Sequence, residues 1–161
     1  MIPAQAKDAM EVWLAKAIAG FDDSRFNDGD ILTHDWLQWA LDIPEPATVA
    51  EAQETQWLTL QRVDAFRDYL LVNRSIALQS VRGQGSWIVP PSEQARVAAH
   101  EAMKQVRKGL ERGDKLLTHA RLSEMDSAAQ RRHTDTQVRL SGIGQLMKRQ
   151  KKDLLTLFKS G

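Results

Sequence analysis

The chain has 161 residues, 42% hydrophobic and 27% charged, values of a globular protein large enough for one ordinary domain or for a small domain with a helical extension. No apolar run approaches the length of a membrane span, and the absence of cysteine excludes disulfides, thiolate zinc sites and a thiol nucleophile, as expected of a cytoplasmic protein in a reducing compartment. The net charge of +1 conceals an asymmetry: residues 1–59 carry three basic against eleven acidic residues, residues 60–161 nineteen against ten, so the C-terminal part offers a surface suited to a polyanion, or simply a solvated basic face.

The first residues, Met1 to Asp8, lack the basic-then-apolar order of a secretory signal. Met10, Trp13, Leu14, Ala17 and Ile18 then follow the spacing of an amphipathic helix that Gly20 can end. A polar loop closes in Asp28-Gly29, a turn signal, before the very short strand Ile31-Leu32. Thr33 can cap a helix carrying Trp36, Leu37, Ala40 and Leu41, which Pro44 and Pro46 halt. Thr48 and Glu51 form a capping box, because hydroxyl and carboxylate can satisfy backbone amides that the first helical turn leaves free. The helix they open is predicted to reach Asn73, with a break near Thr55 and a buried stripe of Leu60, Val63, Phe66 and Leu70. Leu78 to Pro90 reads as strand, tight glycine turn and strand.

The order helix, strand, helix, helix, strand, wing, strand resembles a winged helix-turn-helix domain over residues 4–91. Within it, Val81-Arg82-Gly83-Gln84-Gly85 is similar to the wing of response-regulator DNA-binding domains, although Ser86 stands where that family has an aromatic and Trp87 follows one place later. The continuation Ile88-Val89-Pro90-Pro91-Ser92-Glu93-Gln94 resembles small phage-encoded DNA-binding proteins. The resemblance implies a mainly α protein, with a winged-helix domain over 1–91 and its small β-wing. A long helical extension, coiled coil or hairpin, follows over 92–161, and Pro90-Pro91 marks the boundary.

In that extension Ala99, Met103, Val106, Leu110, Gly113, Leu117 and Ala120 step alternately by four and three, the spacing of a coiled-coil seam. Leu140, Ile143, Met147, Gln150, Leu154 and Leu157 repeat it on a segment that Ser123 can cap and Thr134-Asp135-Thr136 can interrupt. The two stripes must fold on each other as an antiparallel hairpin or meet a second chain, and a homodimer is favoured because the extension has little other core. Gly109, Gly113, Gly142 and Gly144 each cost an isolated helix about 1 kcal/mol, which close helix approach or local flexibility would explain.

The candidate DNA contacts are Arg82 and Gln84 on the wing, Gln61 and Arg62 on the long helix, and the cluster Lys148, Arg149, Lys151 and Lys152. With Val63, Phe66 and Leu70 buried, Gln61, Arg62, Ala65, Asp68 and Tyr69 are expected to face outward. Glu51, Glu54, Asp64 and Asp68 on the same element would repel phosphates, which argues against ordinary major-groove reading. Trp13, Trp36 and Trp57 are read as core, and Trp87 as packing the wing before stacking on a base. Trp39 is read as an exposed anchor for a protein partner.

Signals of an enzyme fail in turn. Gly83-Gln84-Gly85 lacks the third glycine of a dinucleotide fingerprint, no Walker lysine is present, and the acidic loop before Gly29 lacks the ligand order of an EF-hand. His34, His100, His119 and His133 are scattered and expected at the surface. No cofactor and no membrane contact are expected. The leading expectation is therefore a non-enzymatic DNA-binding transcriptional regulator. The alternative is an interaction module, such as an adaptor or inhibitor of a host enzyme, that binds its partner through the acidic N-terminal face.

Overall fold

In a computed structural model, which describes residues 11–159, the chain divides into two units, one up to Gln94 and one from Ala95. Met10 and the segment Met1 to Asp8 lie outside the described residues. The molecule is mainly helical, with one small three-stranded antiparallel sheet among the described residues.

The first unit begins with α1, Val12–Ser24. This helix runs through Gly20 instead of ending there and stops at Arg25, which is left-handed at φ 51°. Gly20 serves packing: a Cβ at that position would lie 2.8 Å from the Trp39 ring, so only glycine lets that indole rest on α1. Gly29, at φ 90°, then turns the chain into β1, Ile31–Thr33, while the Asp30 carboxylate accepts from the Asn27 amide at 2.7 Å. Thr33 caps α2, His34–Ala40, its hydroxyl accepting from the Trp36 amide at 3.2 Å.

The capping box opens α3, Val49–Arg74, with one change of partner. Thr48 accepts from the Glu51 amide at 3.2 Å, while Glu51 reaches back to the amide of Ala47 at 2.8 Å. No break occurs near Thr55, whose carbonyl accepts from the Thr59 hydroxyl without interrupting the helix. β2, Leu78–Val81, and β3, Gly85–Ile88, complete the sheet in the order β1-β3-β2. The register pairs Leu32 with Ser86 and Leu78 with Ile88, which sets these four side chains toward the helices, and pairs Ile31 and Gln79 with Trp87 on the opposite face.

The core unites Ala17, Ile18 and Phe21 of α1 and Leu37 and Ala40 of α2 with Phe66 and Leu70 of α3, over Leu32, Leu78 and Ile88 of the sheet. Phe21 and Phe66 meet edge to face at 6.2 Å, a favoured aromatic geometry. Trp13 and Trp36 pack against this core as expected. The stripe of α3 differs from the sequence reading at both ends. Leu60 is exposed, as is Trp57 at 65%, because the first half of α3 carries none of the core. Tyr69, expected outward, is half-buried against the core.

The second unit is a hairpin of α4, Gln94–Thr118, and α5, Ser127–Thr156, joined through a short helical turn at Leu122–Glu124. Asp126, not Ser123, caps α5, accepting from the Ala129 amide at 2.7 Å. Thr134 and Thr136 do not interrupt α5; their hydroxyls donate to the carbonyls of Gln130 and Arg132 one turn back. The helices are antiparallel: Leu117 meets His133, Gly113 meets Leu140 and Leu110 meets Gly144 in turn. His133 is therefore half-buried, its Nε2 2.9 Å from the Leu117 carbonyl oxygen, rather than a surface histidine.

The α4 seam from Ala99 to Ala120 lies half-buried throughout, as its spacing predicts. The α5 stripe does not follow its expected line. Leu140, Gly144, Met147 and Leu154 are half-buried, while Ile143 and Leu157 are 49% and 70% exposed and Gln150 is exposed. The apolar arc of α5 is wider than one partner helix can cover, and α4 takes the edge that carries Leu140, Gly144 and Met147.

Candidate functional site

The tip of the β2–β3 hairpin is built by strand pairing and two glycines. Val81 and Gly85 face each other across β2 and β3, and the Gln84 amide donates to the Val81 carbonyl at 3.0 Å to close the turn. Gly83 and Gly85 have φ of 76° and 133°, a region that favours glycine. Gly85 is also required by its neighbour, since a Cβ there would lie 2.0 Å from the Leu32 carbonyl oxygen on β1. This tight pairing leaves Arg82 and Gln84 exposed at the tip, with no ion pair to Arg82 among the described residues. Trp87 is half-buried on the outer face of the sheet between Ile31 and Gln79.

The long helix presents a different surface from the one expected. Gln61 is exposed, but Arg62 turns inward. One of its terminal nitrogens donates to the carbonyls of Leu41 and Asp42 at 2.7 and 2.8 Å, and its guanidinium lies 5.2 Å from the centre of the Trp13 ring. Arg62 therefore fixes the end of α2 against α1 and α3 and is not presented to a ligand. Arg67 similarly donates to the Leu78 carbonyl at 3.0 Å and ties β2 to α3. The face of α3 left in solvent carries Trp57, Leu60 and Leu71 among the carboxylates Glu54, Asp64 and Asp68. Trp39 is 54% exposed as expected, although Lys16 lies 5.3 Å over its ring and Trp36 meets its edge.

Asp42 has a left-handed φ of 53°. The hydrogen bond from Lys16 holds its carboxyl below the usual carboxylate range against desolvation, with the charges of Lys16 and Arg62 adding to the effect. At the other end of α3, Arg74 makes a two-pronged pair with Asp22 of α1, at 3.0 and 3.1 Å. That hydrogen bond and the carboxylate's charge raise the arginine's pKa further.

On the hairpin, Lys148 and Lys151 of α5 line a groove shared with Lys104 and Arg107 of α4, with Glu111 and Asp114 farther along it. Arg107 pairs loosely with Glu111 at 3.8 Å, while the three lysines have no ion pair among the described residues. Arg149 and Lys152 are exposed outside this groove. The structure thus joins two residues of the expected basic cluster to two from α4 that the sequence reading missed. Their signal was present: Lys104 and Arg107 sit one turn apart beside the seam residues Met103 and Val106.

No helix among the described residues is long and apolar enough to cross a membrane, and no group of three or more His, Asp or Glu residues is arranged there to hold a metal ion. No known protein family, curated protein or solved structure matches the chain.

Proposed function

We propose that this protein binds duplex DNA, most simply as a regulator of transcription, and that its first unit is a winged helix. The observation that carries the reading is the wing itself. In the β1-β3-β2 sheet, the β2–β3 pair directly after the long helix carries a glycine turn whose exposed residues are Arg82 and Gln84. Arginine and glutamine side chains can hydrogen-bond base edges or phosphates, and a two-stranded ribbon is narrow enough to enter a groove. The basic groove of the hairpin adds Lys104, Arg107, Lys148 and Lys151, which suit a phosphate backbone. The carboxylates on the outer face of α3 oppose contact there, so in this reading the wing and hairpin carry the binding.

The test is titration of a labelled duplex at two or more salt concentrations. Binding should weaken steeply with salt, by about 0.9 in logarithmic slope per phosphate neutralised. Arg82→Ala and Lys148→Glu/Lys151→Glu should each weaken it and reduce the slope. No binding to any duplex at low salt overturns the proposal.

The second reading, a protein-interaction module, is favoured by the outer face of α3. There Trp57 and Leu60 are 65% and 54% exposed beside carboxylates, a combination suited to a basic, amphipathic partner segment. A protein partner lost on Trp57→Ser, with DNA binding absent, would select this reading.

A further inference from the structure

The two faces of the hairpin differ in kind. At 100° per residue, the charged groove residues Arg107 and Lys148 lie to one side of the line where α4 and α5 meet, with Lys151 near that line. Leu116 and Gly109 of α4, with Ile143 and Leu146 of α5, lie to the other. Leu116, Ile143 and Leu146 are 59%, 49% and 51% exposed. The glycines divide in the same way. Gly113 and Gly144 face the opposite helix of the hairpin, with Leu140 and Leu110 at 3.0 and 4.0 Å from the position of a Cβ. Gly109 and Gly142 have nothing within 4 Å. Of the four, only Gly113 meets a tight contact within the hairpin, while Gly109 and Gly142 face outward on or beside the apolar face.

We infer that this face is covered by the same face of a second copy of the chain, with the two α5 helices antiparallel about a twofold axis near Leu146. Charge selects this occupant and this orientation. Arg139, Ile143, Leu146, Gln150, Asp153 and Leu157 form a continuous stripe with alternating steps of four and three. Arg139 and Asp153 stand seven residues to either side of Leu146. An antiparallel copy sets each arginine level with the partner's aspartate, whereas a parallel copy would set arginine against arginine. The size of the face also fits. A helix of 30 residues is about 45 Å long, and two side by side are about 20 Å wide. That gives a footprint of about 900 Å² per copy, comparable with the about 800 Å² per partner of an ordinary stable interface. Gly109 and Gly142 let the opposing backbones approach, and the basic grooves remain on the outside of the pair. The inference goes beyond the DNA-binding reading and does not rest on it.

The test is the solution mass of the full chain by light scattering, with sedimentation for the dissociation constant. The wild type should have twice the monomer mass at tens of micromolar. Ile143→Glu/Leu146→Glu should give a monomer with unchanged helicity, since both positions are already half exposed within the hairpin. Arg139→Asp and Asp153→Arg should each raise the dissociation constant at least about tenfold, the double swap returning it toward the wild-type value. A wild-type monomer up to about 100 μM, the range of weak association, overturns the inference and assigns the face to another occupant. A dimer that survives the glutamates, or is indifferent to the charge swap, overturns it as well.

Discussion

The Arg62 guanidinium donates to the carbonyl oxygen of Leu41 at 2.7 Å, closing the end of α2 onto α3. The same nitrogen reaches Asp42 at 2.8 Å, and the group lies over Trp13, so one side chain joins three helices of the first unit. Arg62→Ala should cost about 2–3 kcal/mol of that unit's stability, from charge-assisted hydrogen bonds and the cation–ring contact. Arg62→Lys should recover only part, because an ammonium cannot reproduce the planar stack. All five tryptophans lie in the first unit, so denaturant unfolding followed by tryptophan fluorescence reads it alone. A stability unchanged in Arg62→Ala would return this residue to the surface.

The two glycines of the β2–β3 hairpin should separate by environment. Gly85→Ala places a Cβ 2.0 Å from the Leu32 carbonyl oxygen and should cost more than about 3 kcal/mol, because β1 and β3 cannot stay paired. Gly83→Ala meets nothing within 4 Å and should cost only about 1 kcal/mol, from its left-handed backbone. Melting temperatures of the two variants provide the measurement, and equal losses would contradict the close strand approach.

Acid should act on the junction at Asp42. Its carboxyl is depressed in the folded protein, chiefly by the Lys16 hydrogen bond, so the unfolded chain takes up a proton first as pH falls. The pair's contribution is present above the unfolded value of about 4 and is lost as pH drops through the lower folded value. Asp42→Asn keeps a side chain that tolerates the left-handed backbone. Its stability should therefore fall less than the wild type's in the acid range, measured by unfolding at a series of pH values. An identical decline in both proteins would show that Asp42 has no part in it.

Much of the fold was legible because it rests on local rules. Thr33, the Thr48–Glu51 box and the glycine turn between β2 and β3 are decided by hydrogen bonds within a few residues. The α4 seam was legible because it has one partner along its whole length. Trp57 and Leu60 were misplaced because periodicity tells which residues share a face, not where along a helix the neighbouring elements end. Arg62 was misplaced because a carbonyl twenty residues away is an alternative to solvent that no local pattern reveals.

The sequence by itself determined the order of elements, the turns and the charge asymmetry, since these follow from backbone preference and composition. Only the tertiary structure decided what each side chain meets. It showed Arg62 held inside and α3 bare over its first half. It set Lys104 and Arg107 beside Lys148 and Lys151, and divided the broad apolar arc of α5 between α4 and open solvent. These outcomes depend on packing between segments distant in sequence, where the size of one residue, such as Gly85 or Gly113, sets how near another chain segment can come.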